Sequence, residues 1–268
     1  SLNDLDSYEK EFIDLLEKLP EKEQEFYAKE VYEYGFSPEL LEIVKEGKEV
    51  AVYAEAYENG LKLIEEREYK NALSYLETAS KTDILSLKTE AYYASGLCYG
   101  KLNSYKKAVE AYKQAINIYP DYIIAHYNLG VVYYKLGLNE DAIEQYKQAV
   151  IINSDYADAY YGLGVVYYKL GLNEDAIEQY KQAIHIDPGN DKYYCNLGVS
   201  YYSLGFYADA IDALKLAVKI NPDDVGNHYN LGGIYHLIGD KKSALNEYEI
   251  LKELNIDSAN KLFDIIYG

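Results

Sequence analysis

Two stretches of the chain have identical sequences and lie 34 residues apart. The string LGVVYYKLGLNEDAIEQYKQA fills residues 129–149 and again residues 163–183. A fixed period between about 20 and 50 residues indicates an array of stacked units, each of which contacts only its neighbours. Single residues continue the interval through most of the chain: Gly96, Gly130, Gly164, Gly198 and Gly232, with Ala72, Ala108, Ala142, Ala176, Ala210 and Ala244.

Each unit carries the pattern of two helices. In residues 123–156, His126, Leu129 and Tyr133 recur at the spacing of one helical face. Gly137 follows as a left-handed residue that ends a helix, and Asn139 is a typical N-cap for the next one. The second helix has its own apolar stripe: Ala142, Ile143, Tyr146 and Ala149.

The recurring glycine predicts a close contact between the two helices of a unit. Glycine in a helix interior costs about 1 kcal/mol relative to alanine, so a compensating gain in packing is expected. We expect Gly130 to lie against Ala142, with Tyr133 and Tyr146 filling the space beside this contact.

This pattern closely resembles the tetratricopeptide repeat family, whose first helix carries a bulky residue, Leu-Gly and Tyr, and whose second carries Ala, an aromatic residue, Ala and a final Pro. The resemblance implies an all-α fold, a right-handed superhelical solenoid of antiparallel helix pairs. The predicted solenoid covers residues 53–258 as about six repeats, at 53–88, 89–122, 123–156, 157–190, 191–224 and 225–258. Departures from the family pattern are leucine at two aromatic positions and His126 and His228 in the bulky position.

Both ends of the array are expected to be helical. An acidic extension or cap is predicted at residues 1–50, with helices near Leu5–Leu19, Glu21–Tyr34 and Pro38–Gly47. A C-terminal capping helix is predicted at residues 259–268, with Leu262, Phe263, Ile265 and Ile266 facing the last repeat.

The formal net charge of −19 excludes two classes of partner. Nucleic acid requires clustered Lys and Arg, and anionic membrane surfaces attract basic segments. No apolar run approaches the roughly 20 residues of a membrane helix, so membrane insertion is not expected. A targeting segment is also not visible, which makes the cytoplasm the default compartment.

In tetratricopeptide arrays the first helices line a concave groove in which partners bind, and this resemblance places a row of side chains on that face. Tyrosine buries a large area at low entropic cost, and the lysines form a positive row in an acidic protein. We expect the groove to bind a peptide that carries apolar and acidic residues. The predicted groove residues are Tyr93, Leu97, Lys101, Tyr127, Val131, Tyr134, Lys135, Tyr161, Val165, Tyr168, Lys169, Cys195, Val199, Tyr202, Tyr229 and His236.

The sequence contains no pattern typical of an enzyme. It lacks a phosphate-binding glycine loop, an HExxH zinc motif and a nucleophile elbow, so no catalytic residue, metal site or cofactor is predicted. His126 and His228 are interpreted as packing residues.

The favoured function is therefore a protein–protein interaction adaptor that binds a peptide segment or helix of a partner in its groove. Two alternatives to this function stay open. The first is a scaffold that self-associates through its repeat ends or N-terminal segment. The second is the recognition domain of a larger enzyme.

Overall fold

A computed structural model describes the backbone of residues 38–268 and the side chains of residues 51–268. All regular structure in this part of the chain is helical. The helices predicted near Leu5–Leu19 and Glu21–Tyr34 lie outside the described residues. In chain order the described helices are α1 (Pro38–Glu65), α2 (Tyr69–Ala79), α3 (Leu85–Lys101), α4 (Tyr105–Ile118), α5 (Ile123–Leu136), α6 (Asn139–Ile152), α7 (Ala157–Lys169), α8 (Asn173–Ile186), α9 (Asp191–Ser203), α10 (Tyr207–Ile220), α11 (Val225–Leu237), α12 (Lys241–Leu254) and α13 (Ile256–Tyr267).

The helices pair in chain order, α1 with α2 and so on to α11 with α12, as the two-helix pattern predicts. The chain forms two compact units, Ser1–Tyr122 and Ile123–Gly268. Helix α1 is longer than expected, because it continues through Gly47 to Glu65. A single glycine without a left-handed turn costs a helix only about 1 kcal/mol, which does not end it.

Gly137 ends α5 as predicted, with a backbone φ of 78°. The Gly137 N–H donates to the carbonyl of Tyr134 at 3.1 Å, and the Leu138 N–H donates to the carbonyl of Tyr133 at 3.0 Å. This is the pair of bonds found in a Schellman motif. The predicted N-cap at Asn139 is wrong, since α6 begins at Asn139 and Leu138 occupies the N-cap position. Leu138 has no side-chain oxygen, so no side chain caps this helix.

Three of the recurring glycines lie against an aromatic ring. A Cβ atom added to Gly130 would lie 2.7 Å from the ring of Tyr146, so its nearest contact is Tyr146 and not the expected Ala142. The same contact recurs between Gly96 and Tyr112 and between Gly164 and Tyr180, at 2.5 Å in each case. Each glycine therefore accommodates the tyrosine ring of the neighbouring helix.

Helix α13 covers the last repeat, but only part of its predicted contact face is buried. Leu262 and Ile266 are buried, as predicted. Phe263 and Ile265 remain 41% and 43% exposed. Both nevertheless face the last repeat as predicted, because the Phe263 ring lies 5.5 Å from that of Tyr248 and Ile265 lines a cavity together with residues of α11. Leu262 lies against Gly232, where an added Cβ would be 2.6 Å away. It takes the place that the second-helix tyrosine occupies in the units at Gly130 and Gly164.

Candidate functional site

The sixteen predicted groove residues all lie on first helices of the repeats, and each is half-buried or exposed. Tyr93, Leu97 and Lys101 lie on α3 in the first unit, and the other thirteen lie on α5, α7, α9 and α11 in the second unit. We call these thirteen residues the groove face. Their partial exposure distinguishes them from the core alanines and leucines of the same hairpins, which are buried.

Two tyrosines of the groove face are held between pairs of other rings. The ring of Tyr127 lies 5.8 Å from that of Tyr146 and 5.4 Å from that of Tyr156, measured between centroids. The equivalent Tyr161 lies 5.9 Å from Tyr180 and 5.1 Å from Tyr193. Such contacts fix the rings before any partner arrives, which lowers the entropic cost of binding.

The same arrangement occurs independently in the first unit. The ring of Tyr93 lies 5.9 Å from that of Tyr112 and 5.2 Å from that of Tyr122. The Tyr122 hydroxyl donates to the carboxylate of Glu90 at 2.9 Å. Desolvation by burial is the main cause that raises the pKa of Tyr122, and the bond to Glu90 raises it further.

Polar side chains link neighbouring first helices across the second unit. The Tyr193 hydroxyl on α9 donates to Asp158 on α7 at 3.0 Å. The Asn196 amide donates to the hydroxyl of Tyr161 at 3.2 Å. Burial first, and the charge of Asp158 second, raise the pKa of Tyr193, so this hydroxyl stays protonated and bound. The equivalent position of α9 holds Lys192, so Asp158 is the only carboxylate at this repeat position of α7 and α9. This carboxylate is already hydrogen-bonded to Tyr193.

One lysine of the groove face lies beside a tyrosine ring, and neither of the two pairs with a carboxylate of the described residues. The Lys169 ammonium lies 4.4 Å from the centroid of the Tyr134 ring, within the range of a cation–π contact. Both Lys135 and Lys169 are exposed. Across residues 51–268, neither forms an ion pair with a carboxylate. Their charges are available to a partner.

A cavity of about 350 Å³ opens at the C-terminal part of the groove face. Five predicted residues line it, from α7, α9 and α11: Tyr168, Val199, Tyr202, Tyr229 and His236. The five remaining lining residues are Asn230, Gly233, Ile234, Leu237 and Ile265. The last of these comes from α13, and no repeat pattern could have placed it here. Most of the lining is apolar or aromatic.

A larger and more polar cleft of about 740 Å³ lies in the first unit, between side chains of α2, α3 and α4. None of the predicted groove residues lines it. Its polar side chains are Ser74, Glu77, Ser80, Ser95, Lys107, Glu110 and Gln114, beside the rings of Tyr92 and Tyr99.

The two buried histidines have structural partners. His228 Nδ1 lies 2.6 Å from a carboxylate oxygen of Glu247, and its Nε2 lies 2.8 Å from the carbonyl oxygen of Pro222. His126 makes the equivalent contact with Gln145 at 2.9 Å. Both histidines are buried, in agreement with their interpretation as packing residues.

The described residues contain neither a metal-binding group nor a membrane-spanning helix. Within the described part of the chain, no group of three or more His, Cys, Asp or Glu side chains could hold a metal ion. In the same residues, no helix has both the length and the apolar character needed to cross a membrane.

Comparison with known proteins identifies similar sequences and structures. A family model described as TPR repeat matches residues 90–137, 133–171, 167–205 and 200–239. A crystal structure of MamA is 27% identical, with a TM-score of 0.57 over 62% of this chain and 96% of that chain. YrrB, described as a TPR protein with an unusual peptide-binding site, is 25% identical, with a TM-score of 0.57 over 69% of this chain and 94% of its own.

PilF of Pseudomonas aeruginosa shares the fold at 15% identity, with a TM-score of 0.67 over 81% of this chain and 98% of that chain. A comparison with curated proteins finds no match.

Proposed function

The chain belongs to the tetratricopeptide repeat family, and from this premise we propose that it is an adaptor that binds a peptide segment of a partner protein along its groove face. Repeats of this family are in general protein interaction modules rather than enzymes. The proposal assigns the binding surface to the first helices α5, α7, α9 and α11.

The observation that carries the proposal is the cavity of about 350 Å³ at one end of the groove face. Its volume falls in the range of pockets that bury small ligands or single side chains, about 300–1,000 Å³. Aromatic walls such as Tyr168, Tyr202 and Tyr229 supply contact area from side chains with few rotatable bonds. An exposed apolar cavity of this kind suits an apolar side chain of a partner.

Charge supports a partner with acidic residues. The protein is strongly acidic overall, with a formal net charge of −19. Lys135 and Lys169 nevertheless place two exposed positive charges on the groove face. An acidic residue of a bound peptide would be attracted by these two local positive charges, although the net negative charge of the rest of the protein repels acidic peptides.

The structural relatives support a peptide as the ligand class. YrrB, which is 25% identical to this chain, is named for its peptide-binding site. The likeness covers 69% of this chain, and we therefore extend peptide binding, as a class of recognition, to the groove face.

The experiment that tests the proposal is selection from a displayed library of random 12-residue peptides on the purified protein. Peptides that bind the wild type are then measured by fluorescence anisotropy against Tyr134→Ala/Tyr168→Ala and Lys135→Glu/Lys169→Glu. We expect both double variants to weaken binding at least tenfold. Failure of the wild type to select any peptide, or equal binding by both variants, would refute the proposal.

The repeat offers a matched control for the charge reversal. Lys147 and Lys181 occupy identical positions in the second helices of the same two repeats and are also exposed. Lys147→Glu/Lys181→Glu changes the net charge by the same amount as the groove variant. We expect this control to bind the selected peptides within about twofold of the wild type.

Self-association is a second candidate function, favoured by the exposed end of α13. Ile256, Phe263 and Tyr267 are 56%, 41% and 52% exposed. The rings of Phe263 and Tyr267 lie 4.6 Å apart, and the Lys241 ammonium lies 4.0 Å from the Tyr267 ring. Light scattering at several concentrations tests this candidate. A mass that rises with concentration in the wild type, and not in Phe263→Glu, would support it, whereas a constant mass would remove it.

A further inference from the structure

One position on the groove face breaks the repeat pattern. Gly233 lies inside α11, where the repeat otherwise places a branched aliphatic side chain. Glycine at an interior helical position costs about 1 kcal/mol relative to alanine. The equivalent residues, at successive intervals of 34, are Leu97, Val131, Val165 and Val199.

The structure shows what the missing side chain leaves behind. A Cβ atom added to Gly233 would meet no other atom within 4 Å. The adjacent Gly232 is different, because its added Cβ would lie 2.6 Å from Leu262. Helix packing therefore explains Gly232 but not Gly233. The space beside Gly233 is the cavity of about 350 Å³, since Gly233 is one of its lining residues.

The walls of this cavity are suited to a flat apolar group. Tyr168, Tyr202, Tyr229 and His236 contribute rings from three first helices, and Ile265 of α13 closes one side. An engineered apolar cavity of about 150 Å³ is large enough to bind benzene. A cavity of about 350 Å³ therefore has room for an aromatic side chain.

One row of repeat positions on the groove face loses its positive charge from α5 towards the cavity at α11. The row of equivalent positions reads Lys135, Lys169, Ser203 and Leu237 from α5 to α11. The row is positive at its N-terminal end and apolar at the cavity. Tyr168, which lines the cavity, and Lys169 are consecutive residues in the last turn of α7, so the positive charge and the cavity lie at the same end of this helix.

We propose that the cavity beside Gly233 is an anchor pocket for one aromatic side chain of a partner peptide, whose acidic residue contacts Lys169. This inference rests on the proposed function and specifies the ligand class. Packed helices lie about 8–10 Å apart and an extended peptide rises about 3.3 Å per residue. Lys169 on α7 and Gly233 on α11 are two such spacings apart, about 16–20 Å, so the aromatic and acidic residues of the peptide are separated by about five to six positions.

The repeat itself supplies the variant that tests this pocket. Gly233→Val restores the aliphatic residue found at the equivalent position of three other repeats and projects it into the open cavity. The matched control is Gly100→Val in α3, where an added Cβ also meets nothing within 4 Å. Circular dichroism melting establishes that both variants fold like the wild type.

The experiment repeats the selection from the displayed 12-residue library with the wild type and with Gly233→Val. The wild type is expected to enrich peptides in which an aromatic residue lies about five to six positions from Asp or Glu. Gly233→Val should bind a selected peptide at least tenfold more weakly, and Gly100→Val within about twofold of the wild type. Lys169→Glu should lose the preference for the acidic residue.

A peptide-side substitution completes the test. Replacing the aromatic residue of the selected peptide by alanine should weaken binding to the wild type at least tenfold but change binding to Gly233→Val by less than threefold. If the wild type selects peptides and Gly233→Val binds them equally well, the anchor pocket is refuted while the adaptor function stands. If the wild type selects no peptide, both are refuted.

Discussion

Replacing two glycines of the same fold by alanine is expected to change stability in opposite directions. In Gly164→Ala, the new Cβ would lie 2.5 Å from the ring of Tyr180, which is fully buried. Neither the ring nor the helix can move without disturbing the neighbouring hairpin. In Gly233→Ala, the new Cβ meets nothing within 4 Å.

The magnitudes follow from two separate effects. Alanine gains about 0.8–1.0 kcal/mol of helix propensity over glycine at an interior position. Overpacking a filled core costs about 1–3 kcal/mol. Gly233→Ala should therefore raise the free energy of unfolding by up to about 1 kcal/mol. Gly164→Ala should lower it by up to about 2 kcal/mol, because the clash exceeds the propensity gain.

Urea denaturation followed by far-ultraviolet circular dichroism measures both changes. Comparing midpoints among variants of similar slope avoids a long extrapolation. The pair also controls for helix propensity, since the same substitution is made in both first helices. A Gly164→Ala variant as stable as Gly233→Ala would show that the recurring glycines are not required by the tyrosine rings.

Three further predictions concern buried groups. Glu247→Gln reproduces the histidine–glutamine contact that His126 makes with Gln145, so the midpoint of its urea denaturation should change little. Glu247→Leu leaves His228 Nδ1 without its partner and should lower the free energy of unfolding by about 1–3 kcal/mol. Burial raises the pKa of Tyr127 to about 12, above the value of about 10 for an unfolded tyrosine. The stability it contributes is complete below pH 10 and is lost as the pH rises towards 12, so the denaturation midpoint should fall between pH 10 and 12. Burial also raises the pKa of the Cys98 thiol to about 11, so at pH 8 a thiol reagent should modify Cys98 in the folded protein far more slowly than in urea; equal rates would contradict its burial.

The hairpins were predictable because the period of 34 residues fixes both the helices and the turns between them. The left-handed turn at Gly137 follows from the absence of a Cβ atom. The partner of Gly130 was not predictable from spacing, because Ala142 and Tyr146 lie one turn apart on the same face of α6. Only the length of the tyrosine side chain decides which of the two reaches across.

The face of α13 shows that residues which face a neighbouring repeat can remain partly exposed. At about 100° per residue, Leu262 and Ile266 lie close to the centre of the apolar stripe. Phe263 and Ile265 fall on its opposite edges, which agrees with their 41% and 43% exposure. The edge position of Ile265 is what brings it to the cavity, and the sequence alone contains no signal for that contact.

The sequence predicted residues that form the partly exposed surface of the candidate site, but it did not predict the cavity. Repeat positions identified the partly exposed Tyr168 and Tyr202, because these follow the same period as the core. The bonds of Tyr193 to Asp158 and of Asn196 to Tyr161 join residues 35 positions apart. Such contacts depend on how neighbouring hairpins pack, which the pattern of one repeat does not determine.

The most direct test of the groove as a binding surface is a nuclear magnetic resonance titration of the isotope-labelled protein with a selected 12-residue peptide. Amide signals of α7, α9 and α11 near Tyr168, Val199 and Gly233 are expected to shift with peptide concentration, while those of the second helices α8 and α10 stay in place. Shifts confined to the second helices, with the signals around Gly233 unmoved, would contradict the account.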